Sequence, residues 1–138
     1  MKKRRKKQAA ALCLVKEGGK KKVVLVTSRE TKRWILPKGW IEDDLSGAEA
    51  AAIEAYEEAG VVTRKKKVKK IGKYKYRKRL SKKREITLNV SVYSMPVERL
   101  KTSFKERHQR KRKVVEVKEA IKMVNEESLK ELLLSVAQ

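Results

Sequence analysis

Aromatic residues make up only 5% of the chain, and it holds one cysteine, one histidine and two prolines. Each scarcity removes a class of explanation. A single cysteine, Cys13, excludes an intramolecular disulfide. It sits in an apolar run, where a buried structural thiol is expected rather than a nucleophile. The lone histidine, His108, lies in a basic segment, so a zinc site is not expected and His108 is given no catalytic part. No apolar run approaches the ~20 residues of a membrane span. The opening MKKRRKK is followed by a stretch too short and mixed for a secretory signal, so cytoplasm is the expected compartment. Residues 1–7 are expected to form a disordered basic tail, and 8–138 a single domain.

Negative charge is scarce too. Lys and Arg number 39 against 17 Asp and Glu, a net charge of +22 on 138 residues. Such a balance attracts polyanions: RNA, DNA, inorganic polyphosphate, inositol polyphosphates or anionic lipid. A merely solvated exterior gives the same composition. The charge does not bear on the fold.

Against these absences stand several apolar patterns. Residues 8–15 (QAAALCLV) form an apolar run whose period alone does not choose between strand and helix. Residues 23–27 (VVLVT) read as a strand, and Gly18-Gly19 is a hairpin signal, so 8–15 is expected to be its partner. Trp34–Leu36 reads as a short strand stopped by Pro37. Lys38-Gly39 reads as a turn whose glycine lets backbone approach a ligand closely. Tyr74-Lys75-Tyr76 alternates as a strand does. LSKKR at 80–84 looks like a turn, and Ile86, Leu88, Val90 and Val92 alternate with polar residues as a half-buried strand. Residues 97–113 read as a long basic loop. Val114, Val115 and Val117 suggest a last strand, 119–124 a short helix, and Asn125 the cap of a final helix with Leu129, Leu132, Leu133 and Val136 on one face.

The most informative stretch is WILPKGWIEDDLSGAEAAAIEAYEEAGV, residues 34–61. Ser46 with Glu49 makes an S-x-x-E capping box, and Gly60 is a left-handed stop, so a helix is expected at about 47–59. At about 100° per residue, Ala48, Ala51, Ala52, Ala55 and Ala59 share one small-residue face. Glu54, Glu57 and Glu58 fall on a different flank. Three like charges there repel, and hard divalent metals such as Mg²⁺ take carboxylate oxygens. An ordinary solvated acidic face is the other reading.

This stretch resembles the Nudix box, G-x5-E-x7-R-E-U-x-E-E-x-G-U, where U is bulky and apolar. Gly39 opens it, Glu54, Glu57, Glu58, Gly60 and Val61 fall on matching positions, and Ala55 takes the first U. Leu45 stands where the first Glu is expected, and Ile53 where the Arg is expected; Asp44, one residue short, is a partial substitute. The lead-in TSRETKRWILPKG is similar to that of diphosphoinositol polyphosphate and dinucleoside polyphosphate phosphohydrolases. The resemblance implies an α/β/α sandwich with a mixed sheet. It implies Glu57 and Glu58 as Mg²⁺ (or Mn²⁺) ligands, and Glu54 as a ligand or the base that orients water. Gly39 would offer backbone to phosphate, and Arg29, Arg33 and Lys38 would hold phosphate oxygens.

In the family the first Glu and the Arg can pair. Replacing both by Leu45 and Ile53 is expected to exchange that pair for apolar contact, so one charge restored alone would be stranded if the site is buried. Two functions stay open. One is Mg²⁺-dependent hydrolysis of a diphosphate linkage in a polyphosphorylated small molecule. The other is a weakened Nudix scaffold that binds RNA or polyphosphate through its cations, with Lys73–Arg79 and the tyrosines Tyr74 and Tyr76 as a platform for single strands.

Overall fold

The computed structural model describes residues 7–138. The basic tail expected at 1–7 lies outside the described residues, except for Lys7, which opens the first strand.

That strand, β1 (Lys7–Glu17), is the axis of the sheet, with Gln8 to Cys13 buried without a break. The missing alternation has a simple cause: both faces of the strand are covered. The hairpin expected around Gly18-Gly19 is present. β2 (Lys20–Thr27) pairs antiparallel with β1 from Leu14↔Val23 to Glu17↔Lys20. Both glycines take positive φ there, 56° and 76°. β3 (Trp34–Ile35) lies on the end of β2. β4 (Lys38–Trp40) pairs with β1 at Gln8↔Trp40 to Ala10↔Lys38, so Lys38-Gly39 is strand, not turn.

A long hairpin completes the sheet. β6 (Lys69–Ser81) and β7 (Arg84–Pro96) are antiparallel, and β7 runs parallel to β1 from Lys7↔Asn89 to Leu14↔Pro96. β9 (Arg112–Glu116) adds to β2. The result is a mixed seven-stranded sheet, with β5 (Val61–Val62) and β8 (Arg99–Leu100) paired separately. The span 97–113 is therefore not a bare loop, since it contains β8 and the start of β9. Cys13 is fully buried, and burial pushes its thiol up, as expected of a structural cysteine.

Helices cover both faces. α1 (Gly47–Ala59) starts with the full capping box between Ser46 and Glu49. α2 (Val117–Met123) takes in Val117, which is helix rather than strand. α3 (Glu127–Ala137) has Glu126, not Asn125, at its N-cap, and no side-chain cap. Its first turn is tied to the sheet instead, where Ser128 Oγ accepts from the Lys75 N–H at 2.9 Å. A Cβ on Gly72, which pairs with Val92, would meet Leu132 of α3 at 2.9 Å. The next residue, Tyr93, points the other way and packs against Gly47 of α1. The two helices thus flank opposite faces, which is the α/β/α sandwich.

Gly60 ends α1 at φ 67°, and its N–H returns to Ala55 and Tyr56. Arg112 closes the same end, with Nη1 donating to Ala59 and Lys101 carbonyls at 2.8 Å each. A Cβ at Gly60 would meet Phe104 Cδ1 at 2.6 Å and the Lys101 carbonyl oxygen at 3.0 Å. Gly60→Ala should therefore cost at least about 1–2 kcal/mol from backbone conformation alone. Urea denaturation measures it, and an unchanged midpoint would contradict this geometry.

Candidate active site

The buried side of α1 is Ala50, Ala51, Ala55, Glu58 and Ala59. It is rotated from the expected alanine face, with Ala48 and Ala52 only half-buried. The rotation has one large consequence: it carries Glu58 into the interior, 4% exposed.

A carboxylate taken out of water must be compensated. Glu58 Oε1 accepts from the Lys38 backbone N–H at 3.3 Å. Glu58 Oε2 lies 3.5 Å from Arg110 Nη2, and the two side chains are 5% and 7% exposed. The same guanidinium donates through Nε to Glu106 Oε1 at 2.8 Å and through Nη1 to the Thr27 carbonyl at 3.0 Å. The Glu106 N–H in turn donates to the Glu57 carbonyl at 3.0 Å. Arg110 thus joins the box helix, the end of β2 and the loop before β9.

Glu54 and Glu58 are neighbours whose charges act on each other. Burial pushes both carboxyls above their ordinary range, and the negative charge of Glu106 adds to it. Burial, the largest cause, pushes Glu58 up to about 9, so its carboxyl favours the protonated form at neutral pH. Gly39 faces Glu54, and a Cβ there would collide with the Glu54 carboxylate. Its glycine serves close approach of this side chain in extended backbone.

The three acids of the motif are not equivalent. Glu54 and Glu58 meet, whereas Glu57 sits at the rim with Oε1 3.7 Å from Lys105. Among the described residues, no three His, Cys, Asp or Glu side chains converge as a ready-made metal cage. The donor chemistry fits a hard divalent cation, since it offers carboxylate oxygens whose like charges burial leaves under-compensated.

The cations divide as well. Lys38 Nζ stands 3.8 Å from the centre of the Tyr76 ring, and the Arg33 guanidinium 5.8 Å from it. Desolvation, then the charge of Lys78, lowers the Lys38 pKa to about 8. Arg29 turns elsewhere, donating to Gln109 Oε1 at 3.0 Å. His108 is exposed on the same loop.

Leu45 and Ile53 line one groove of about 510 Å³ with Ala52, Tyr56 and Val61. That groove is open: Ile53 is 40% exposed and Tyr56 46%. A single restored charge would reach water here, so the expected penalty for stranding it does not apply.

Arg110 and Glu106 were not anticipated from sequence. The one available signal is the Glu106-x-x-x-Arg110 spacing, a lone acid four residues before an arginine inside a basic run.

Comparison with known proteins decides the relationship. The NUDIX domain model matches residues 6–134. The chain belongs to the Nudix family. Its fold is shared with a C. elegans Ap4A hydrolase (TM-score 0.66, 20% identity, 94% of each chain covered). It is shared also with the E. coli dihydroneopterin triphosphate pyrophosphohydrolase (TM-score 0.70, 10% identity, 97% of this chain and 96% of that one). A Nudix hydrolase from Listeria monocytogenes aligns at TM-score 0.67 with 14% identity, over 94% of this chain and 90% of that one. No curated protein matches the sequence. Nudix hydrolases generally use divalent metal ions, and the Glu54–Glu58 pair is the part of this Nudix hydrolase whose chemistry suits one.

Two outcomes follow from the charge arrangement. Removing one partner of a buried pair costs about 3–5 kcal/mol, so Arg110→Met should lower the melting temperature of the metal-free protein. Arg110 also opposes an incoming cation, so the variant should bind Mn²⁺ more tightly and regain part of the lost melting temperature with Mn²⁺. An equal loss with and without Mn²⁺, at unchanged affinity, would contradict this. The second outcome concerns pH. A carboxyl pushed up in the folded state keeps its proton after the unfolded chain has lost it at about pH 4.3. Its stabilisation is complete below that value and fades as pH rises. Metal-free stability should fall between about pH 5 and pH 8, and Glu58→Gln should flatten the slope. A wild-type slope equal to that of the variant would refute the proton on Glu58.

Proposed function

We propose that this Nudix hydrolase cleaves a diphosphate linkage in a polyphosphorylated small molecule, with Glu54, Glu57 and Glu58 holding Mg²⁺, or Mn²⁺ in its place. The observation that carries the reading is the pair formed by buried Glu58 and half-buried Glu54, whose raised carboxyls suit exchange of a proton for a cation. When bound, the cation neutralises phosphate oxygens and orients water. The chain supplies the rest. Gly39 leaves room for Glu54, and the Lys38 N–H and Arg110 fix Glu58. Lys38 and Arg33, side by side over Tyr76, would hold further phosphates. Arg29 reaches the site only through the Gln109 loop.

Substrates of the dinucleoside polyphosphate or diphosphoinositol polyphosphate type fit this charge better than a nucleotide sugar. Gln8 Oε1 and Glu126 Oε1 are buried side-chain oxygens without a hydrogen-bond partner among the described residues. Gln8 lies in one row with Trp40, Val90 and Tyr74 on the sheet face that carries Lys38. Acceptors awaiting donors favour a nucleoside, with its amino and hydroxyl groups, over an inositol phosphate. One free, buried cysteine suits the reducing cytoplasm. No described helix is long and apolar enough to cross a membrane. The non-hydrolytic reading loses its stacking platform, because Tyr74 and Tyr76 are 2% and 6% exposed.

Phosphate release from a panel of dinucleoside polyphosphate, diphosphoinositol polyphosphate and nucleotide sugar, with and without Mg²⁺, tests the reading. Glu58→Gln and Glu57→Gln should each lower kcat by about 10²–10⁴-fold with the fold intact. KM should rise as pH passes about 8, where Lys38 loses its charge. Wild-type turnover in both variants, or equal efficiency on the nucleotide sugar, would sink it.

A further inference from the structure

From Arg64 to Arg84 the chain holds 14 Lys and Arg and no Asp or Glu. Strand geometry sorts part of this run. Tyr74 and Tyr76 point into the core, so Lys73, Lys75, Arg77 and Arg79 point out along the opposite face of β6, and all four are exposed. Alternate residues of a strand are about 6.8 Å apart, so the four charges form a line about 20 Å long. Among the described residues, Arg77 alone of the four has an acidic ion-pair partner, Glu85 at 4.0 Å. The register places Ser91, Asn89, Thr87 and Glu85 of β7 directly opposite the four cations. One charged line thus lies about 4.8 Å from a row that is mostly neutral and hydrogen-bonding. This face is turned away from Lys38 and Arg33, which sit over Tyr76 on the other side of the same strand. It is the side of the sheet on which α1 lies, since Lys73, Ser91, Ala9 and Gly39 share one row and Gly39 faces Glu54.

We propose that the α1-side face of the β6–β7 hairpin, at the edge of the sheet and two strands across from β4, is a docking surface for a single-stranded nucleic acid. Charge complementarity names the partner. A line of cations follows one phosphodiester backbone, and the Thr87, Asn89 and Ser91 side chains supply hydrogen bonds to phosphate and sugar oxygens. A duplex presents two phosphate lines, and the second row here carries no positive charge. The tyrosines that would stack bases are buried on the reverse face, so contact is with the backbone and binding is independent of sequence.

The probe is a short fluorescein-labelled oligouridylate, read by anisotropy across a salt series. Two variants with the same change in net charge are compared. One carries Lys73→Gln, Lys75→Gln, Arg77→Gln and Arg79→Gln. The other carries Lys16→Gln, Lys20→Gln, Lys118→Gln and Lys122→Gln, at the β1–β2 turn and on α2. The hairpin variant should lose at least about tenfold more affinity, and its slope of log K against log salt should be shallower by about 2.8, four contacts at ~0.7 each. Diphosphate hydrolysis is measured in both variants in parallel, which keeps a loss of oligouridylate binding separate from a failure of the hydrolytic reading. Equal losses in the two variants would overturn the proposal, as would equally tight binding of a matched duplex through the hairpin. A measurement without mutation guards against misfolding: amine acetylation of the wild type, read by mass spectrometry, should show Lys73 and Lys75 protected by the oligouridylate. Full labelling of both in the complex would overturn the proposal as well.

Discussion

Glu58 and Arg110 face each other at 3.5 Å with almost no access to water. Three separate parts of the fold meet in that contact. Glu58 comes from the helix that packs on β1, Thr27 from the end of β2, and Glu106 with Arg110 from the loop before β9. A buried carboxylate with no partner would oppose folding, and a lone buried guanidinium would do the same. Each therefore makes the other tolerable, and both fix where Glu54 can go. The geometry of the site is in this sense a by-product of satisfying buried charge.

Burial also separates the acids of the motif by function. Burial favours a proton on Glu58, beside Glu54, while Glu57 stays at the rim beside Lys105. A protein without bound cation can fold with one proton in place of a divalent ion. On the proposed assignment of the cation to Glu54 and Glu58, the ion competes with that proton and with Arg110, and metal binding is tied to pH through two side chains of one helix.

Much of this was legible in the sequence because it is encoded locally. The Ser46–Glu49 capping box and the Gly60 stop bound α1 at the expected residues. The Gly18-Gly19 turn and the alternation from Ile86 to Val92 announced their strands. The misreadings were long-range. Gly39 was taken as a turn because nothing nearby shows that Lys38–Trp40 pairs with β1. The buried side of α1 was misjudged because alanine spacing ranks small residues and does not show that Glu58 has a guanidinium waiting. Arg110 sits in a run of cations that look alike until the chain folds. Leu45 and Ile53 read as an apolar replacement for an ion pair; they do share a groove, but it is open and Ile53 is exposed, which local sequence does not show. The same folding sorts the +22 charge: few cations reach the carboxylates, and a long row of them lines the free face of β6.

The proton on Glu58 is the claim on which the account of the site rests, and infrared spectroscopy reads it directly. At neutral pH the metal-free protein should show the carbonyl stretch of one protonated carboxyl. That band should shift on ¹³C-labelling of glutamate, vanish on addition of Mg²⁺, and be missing from Glu58→Gln. A metal-free spectrum containing only ionised carboxylates at neutral pH would contradict the account.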